Sequence, residues 1–335
     1  MGITGTMANS EHQTVLGELE TLVRETYLLW DEDWVGFSWR NYTFDHVQRV
    51  RGLARTICAR EGGDVLAVDY AGLLHDITKS YDGEIVMKEG KRVLDENGFW
   101  KNEVLPPARQ NRVTELYDRL GLAGTLHNVS GARLADALLE EHGLSTELRS
   151  RVAGVIALHL KPHEAASVEG KALYDADTID ANIGLPAFYR NIQISLHFQE
   201  RQFAQQSKSL DDYLRDSLAE YLNPYLREKI PAWIASKHTD FTTKMTTAAG
   251  RQIASERIDR LGALIGQAAE ELADFDAYIG QGRLGVIRHF MLNRRNPALS
   301  TELAYLTNGW HHEARPTEGA KAFVAAIRSE AEGTC

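Results

Sequence analysis

Cysteine is almost missing from this chain. Two residues out of 335, Cys58 and Cys335, are cysteines. That number excludes a disulfide framework and a cysteine-based zinc site, and it fits a reducing cytoplasm. No stretch approaches the roughly 20 consecutive apolar residues of a membrane span. No basic, apolar and small-residue opening resembles a secretion signal. A cytoplasmic protein without a membrane partner is therefore expected. Basic charge is also short: 47 acidic residues outnumber 37 basic ones, for a formal net charge of −10. A bulk nucleic-acid binder needs a broad basic footprint. A small anionic substrate needs only a few local cations, which net charge does not exclude. A glycine-rich loop ending in Gly-Lys-Ser/Thr is absent as well, so any phosphate handling falls to metals and side chains. Long alternating runs are lacking too, and no Asn-Gly hairpin turn lies between alternating segments, which leaves little for strands.

Helical periodicity is what remains. In "HVQRVRGLARTICAREGG" the residues Val47, Val50, Leu53, Ala54 and Ile57 share one face, and Gly62 and Gly63 stop the helix. "DVLAVDYAGLLHD" follows with Asp64 as N-cap. "HNVSGARLADALLEEHG" terminates at Gly143, and "STELRSRVAGVIALHLKP" enters through Ser145 or Thr146 and ends before Pro162. A shorter helix is expected in "KALYDADTIDANIG". Residues 81–126 are mixed, with the breakers "DENGFW" and "VLPPAR" around the helical piece "RVTELYDRLG". Beyond about residue 200, "SLDDYLRDSLAEYLNPYLREKIPAWI" and "RQIASERIDRLGALIGQAAEELADFDAYIG" read as amphipathic helices that bury a core or form a homodimer face. The expected fold class is all-α.

Within this pattern a set of polar residues is out of place. "LAVDYAGLLHDITKSYDG" ends an apolar helix in His75 and Asp76, which are costly to bury unless each finds a partner. His46 opens an earlier helix, His127 a later one, His159 sits near the end of the next, and Asp177 lies in "DADTID". Imidazole and carboxylate donors suit iron, manganese, cobalt, nickel or zinc. A carboxylate can bridge two metals and an imidazole normally does not, so Asp76 is the natural bridge. His46, His75 and Asp177 then complete one metal, and His127 and His159 the second. Two such cations position a water and neutralise a phosphoryl oxygen.

The ordered set His46, His75-Asp76, His127, His159, Asp177 resembles the HD superfamily of metal-dependent phosphohydrolases over about residues 40–190. "LLHDITK", "HNVSGA" and "DADTIDA" are similar to the branch with di-iron symmetrical dinucleoside tetraphosphate hydrolases and cyclic-di-nucleotide HD enzymes. The resemblance implies an HD helical bundle with two divalent metal ions, iron first among them. It implies Asp76 and Lys79 as catalytic residues, Lys79 facing the scissile phosphate, and hydrolysis of a nucleotide-like phosphoester or phosphoanhydride by a metal-activated hydroxide. The same ligands also resemble those of the mixed-valent di-iron oxygenases, acting on a hydroxylated anionic substrate, and that alternative stays open. So does a mononuclear site, should His127 or His159 lie behind the ligands rather than among them.

The organisation expected is a flexible leader over 1–20, a metal-binding catalytic domain over 21–200 with a cap-like insertion at 81–126, and a C-terminal helical domain over 201–335. Lys161 and His163, in "HLKPHE", offer anion contacts or an ordinary polar loop, and Arg190 offers a guanidinium for phosphate. Asp177 competes with Asp175 and Asp180. Asp180, three residues on, is read as orienting a ligand from behind. The aromatic run ending at Phe44 packs the N-terminal helix, with one or two rings free to stack on a base. His311 and His312, neighbours about 100° apart on a helix and without carboxylate support, read as surface or loop residues.

Overall fold

The computed structural model describes residues 7–30, 34–35, 38–89, 91–94, 101–103, 106–274, 283–284 and 315–333. His311 and His312 lie outside them, as do the side chains of Trp34, Trp39 and Tyr42. The chain divides into two compact units, Met1–Asp177 and Thr178–Cys335. Helices dominate both; the described strands are two residues long each.

In the first unit the polar leader, expected to stay flexible to residue 20, is corrected by a helix that begins inside it, α1 (Asn9–Tyr27). The Glu11 carboxylate accepts from the Ala8 amide at 2.6 Å and closes the first turn. Val15, Leu16, Leu19 and Val23 then form a buried stripe at helical spacing. Polar residues on the remaining faces conceal that stripe when composition alone is read. Helix α1 packs on α2 (Arg40–Glu61) and α3 (Val65–Leu74). Arg51 of α2 fastens the three, reaching Asp69 at 2.5 Å and Glu20 at 3.1 Å.

Asp64 caps α3, accepting from the amides of Leu66 and Ala67 at 3.0 and 3.1 Å. Every residue from Ala67 to Leu74 is buried, as the apolar run demands. Gly72 permits the close crossing of α2, since a Cβ there would stand 2.9 Å from the Arg51 Cα. Helices α4 (Arg112–Arg119), α5 (His127–Glu141) and α6 (Thr146–Leu158) follow, α5 against α6 and α6 against α3. Helix α7 (Val168–Asn182) is tied to the start of α3, where Glu169 accepts from the Asp64 amide at 2.7 Å.

Between α3 and α4, the first part of the 81–126 segment carries small antiparallel ladders. Glu84–Ile85 pairs with Asn102–Glu103, and Met87–Lys88 with Lys91–Arg92. Helical periodicity gave no sign of them; two residues per strand are too few to show an alternation.

The second unit holds α8 (Leu185–Gln205), α9 (Leu210–Pro224), α10 (Ile230–Asp240), α11 (Ala248–Ala273) and α12 (Glu318–Ala331). Phe188, Leu226, Leu261, Ile265 and Phe323 belong to its core. Glu330 of α12 locks it, accepting from the Leu185 amide at 2.7 Å and from Arg260 at 2.8 Å.

Candidate metal centre

The ends of helices bring the polar set together. His75 is the C-terminal cap of α3, and Asp76 follows in the turn beyond it. His127 is the first residue of α5, and His159 caps the end of α6. His46 lies early in α2 and Asp177 late in α7. Gly131 lets α5 close on this turn: a Cβ there would sit 3.1 Å from the His75 carbonyl oxygen. Thr78 joins the same two elements, donating to the His127 carbonyl at 3.1 Å and pairing with Ser130 at 2.8 Å. Tyr27, at the end of α1, donates to the Asp76 carbonyl at 2.7 Å.

The side chains converge on Asp76. Its Oδ2 lies 3.8 Å from His46 Nε2 and 3.7 Å from His75 Nε2. Its Oδ1 lies 3.5 Å from His127 Nε2 and 3.7 Å from His159 Nε2. Asp177 Oδ1 stands 3.1 Å from His46 Nε2 and 3.9 Å from His75 Nε2. Two buried groups result, His46–His75–Asp76 and Asp76–His127–His159, each with ligand atoms within 4.8 Å of one another.

A metal fits what these residues leave unmet. His75 donates from Nδ1 to the Gly72 carbonyl at 2.8 Å, and His159 from Nδ1 to the Ile156 carbonyl at 2.7 Å. A carbonyl only accepts, so both protons sit on Nδ1 and both Nε2 lone pairs face inward. Neither buried Nε2 has a hydrogen-bond partner among the described residues. Such orphaned acceptors are expensive in a protein interior. Two divalent cations would use them.

The local charge keeps the donors in ligating form. Burial lowers the pKa of His75, and it lowers that of His159 to about 3, with His127 and His75 adding to the effect, so both rings stay neutral. Burial alone would raise Asp76, but the Lys79 ammonium beside it holds it well below the usual carboxylate range. Asp177, opposed by burial in the same way, is brought to about 2 by the His46 hydrogen bond and charge.

Lys79 stands at the rim, its Nζ 3.1 Å from His127 Nε2. Lys161 is exposed just past His159. Asp175 and Asp180 are both fully buried on α7. Asp180 and Arg190 belong to the second unit. Tyr27 and Asp82 were not singled out from sequence. Asp82 Oδ2 lies 2.7 Å from His127 Nδ1, and its one linear signal is a carboxylate three residues after Lys79.

A helical bundle whose helix ends gather histidines around a histidine-aspartate pair is the arrangement of an HD domain, with donor groups that could hold metal ions. Residues 43–182 match the family model for the HD domain, so this stretch of the chain carries an HD domain. No curated protein matches the sequence. Among solved structures, a predicted HD superfamily hydrolase from an uncultured Thermotogales bacterium is 24% identical, covering 62% of this chain and 92% of its own, with a TM-score of 0.36. Bacillus subtilis YpgQ is 19% identical, covering 78% of this chain and 96% of its own, with a TM-score of 0.37. The YpgQ structure in complex with ADP has the same identity and coverage and a TM-score of 0.38.

Proposed function

We propose that this chain is a metal-dependent phosphohydrolase that cleaves a phosphoester or phosphoanhydride in a small, nucleotide-like anion. The observation that carries this reading is the sharing of buried Asp76 by two histidine groups with a lysine ammonium at their edge. His46, His75 and Asp177 would hold one divalent cation, His127 and His159 a second, and Asp76 both. Iron leads the candidates, with manganese, cobalt, nickel and zinc sharing its taste for imidazole and carboxylate. Bound there, the cations supply Lewis-acid charge at phosphoryl oxygens and acidify a water for attack at phosphorus.

The chain's own groups do the rest. Asp76 and the inward Nε2 atoms fix the positions of charge beforehand, so little reorganisation is needed as the reaction proceeds. Lys79 offsets negative charge on the phosphoryl oxygens, and Lys161 receives the more distant part of the anion. Among the described residues no helix is long and apolar enough to cross a membrane.

The test is a nucleotide panel assayed anaerobically with the iron- or manganese-loaded protein. Release of phosphate or nucleoside monophosphate, abolished by chelator, is expected. Turnover that requires both iron and dioxygen would move the chain to the di-iron oxygenases, which use the same kind of ligand set.

A further inference from the structure

His127 differs from His75 and His159 in what holds it. His75 and His159 rest their Nδ1 protons on neutral backbone carbonyls. His127 Nδ1 instead meets the Asp82 carboxylate at 2.7 Å, while its Nε2 meets the Lys79 ammonium at 3.1 Å. An ionised carboxylate only accepts and an ammonium only donates. One neutral tautomer satisfies both neighbours: the proton on Nδ1 and the lone pair on Nε2, which lies 3.5 Å from Asp76 Oδ1.

The placement of Asp82 is built in. It ends the tight turn Lys79–Asp82, and Gly83, at φ 70°, swings the chain away into the Glu84–Ile85 ladder. An L side chain at that φ would be strained. Tyr81, just before Asp82, stacks on Tyr117 with ring centroids 3.7 Å apart and meets the Trp30 ring edge-on at 5.1 Å. Thr78, at the other end of the turn, is bonded to the first turn of α5. Turn and helix therefore hold the carboxylate and the imidazole in register. Asp82 itself belongs to neither histidine-aspartate group.

We propose that Asp82 is a positioning residue that sets the tautomer and aim of His127, and so governs the Asp76–His127–His159 position while leaving the His46–His75–Asp177 position alone. The inference rests on the metal-centre reading above. A carboxylate behind a ligating imidazole fixes its orientation and makes it a more basic donor, and losing such a partner costs about 10–100-fold in metal affinity. The two imidazoles of that position are thus unequal: His127 is polarised by a full negative charge, and His159 by a carbonyl.

The experiment compares wild type, Asp82→Ala and Asp82→Asn as full-length, metal-stripped chains. Imidazole nitrogen spectra of the metal-free proteins should show His127 as the Nδ1–H tautomer in wild type and as a mixture in Asp82→Ala. Asp82→Asn, whose amide oxygen still accepts from Nδ1–H, should keep the tautomer and also covers the case in which the alanine variant does not fold. Titration with Mn²⁺ should then give two equivalents in wild type, and in Asp82→Ala one unchanged equivalent and one weakened about 10–100-fold, with Asp82→Asn between them. A purely structural aspartate would lower thermal stability without separating the two equivalents. Unchanged affinity for both equivalents together with an unchanged tautomer overturns the proposal. Fewer than two equivalents in wild type refutes the metal-centre reading instead, while the spectra of the metal-free chains still decide whether Asp82 sets the tautomer.

Discussion

Replacing Asp76 by asparagine should erase the response of the first unit to metal altogether. The two carboxylate oxygens divide the work: Oδ2 faces His46 and His75 at 3.8 and 3.7 Å, and Oδ1 faces His127 and His159 at 3.5 and 3.7 Å. A group shared this way is lost to both cations at once. With free ion at about 100 times its dissociation constant, one occupied site stabilises the folded state by about 2.7 kcal/mol, and two by about 5 kcal/mol. For a unit of this size each kcal/mol is worth about 2–4 °C, so reloading stripped wild type should raise its melting temperature by about 10–20 °C. Asp76→Asn, nearly isosteric, should show almost no increment over its own metal-free form. His127→Ala, which removes a ligand from one group only, should keep about half. Calorimetry of stripped and reloaded samples, with metal content measured in parallel, reads all three. If Asp76→Asn retains half of the wild-type increment and one metal per chain, Asp76 does not bridge.

Acid should destabilise the metal-free chain through the same rings. The folded value of His159 is about 3, below its ordinary 6.5, and His75 moves the same way. The unfolded chain therefore takes up these protons first. The stability contributed is complete above pH 6.5 and is lost as pH falls through the window toward 3. A urea midpoint that stays flat from pH 7 to pH 4 would mean that burial does not hold these rings neutral. In the second unit, Gly184→Ala should cost about 2 kcal/mol or more: φ is 92°, and the new Cβ would collide with the Glu330 carboxylate and stand 3.0 Å from Arg257 Cδ. Gly262→Ala, in the interior of α11 with open space around it, should instead stabilise by about 0.5–1 kcal/mol. Urea unfolding of the two variants checks the pair, and effects of the same sign would refute the backbone argument.

The helical class could be read directly because its evidence is local. Val47, Val50, Leu53, Ala54 and Ile57 of α2 mark a face within one stretch of chain, and the Asp64 cap and Gly143 stop lie next to the helices they bound. The onset of α1 escaped notice because Asn9, Ser10, Glu11 and Gln13 outweigh in composition a stripe that starts at Val15. The ladders of the 81–126 segment escaped because Glu84–Ile85 finds its partner at Asn102–Glu103, and strands two residues long show no periodicity. Asp82 escaped because nothing in the order Lys-Ser-Tyr-Asp announces a histidine at 127.

Taken alone, the linear chain determines which residues are able to ligate and in what order they come, because donor chemistry belongs to each side chain. It also determines that helices carry them, because helical periodicity and caps act over a few residues. Only the tertiary structure decides which oxygen of Asp76 meets which histidines, which nitrogen of each ring points inward, and that a carboxylate at 82 stands behind one of them. Those are distances between helix ends far apart in sequence, set by the close crossings at Gly72 and Gly131 and by the bonds of Thr78. No short stretch of residues encodes them.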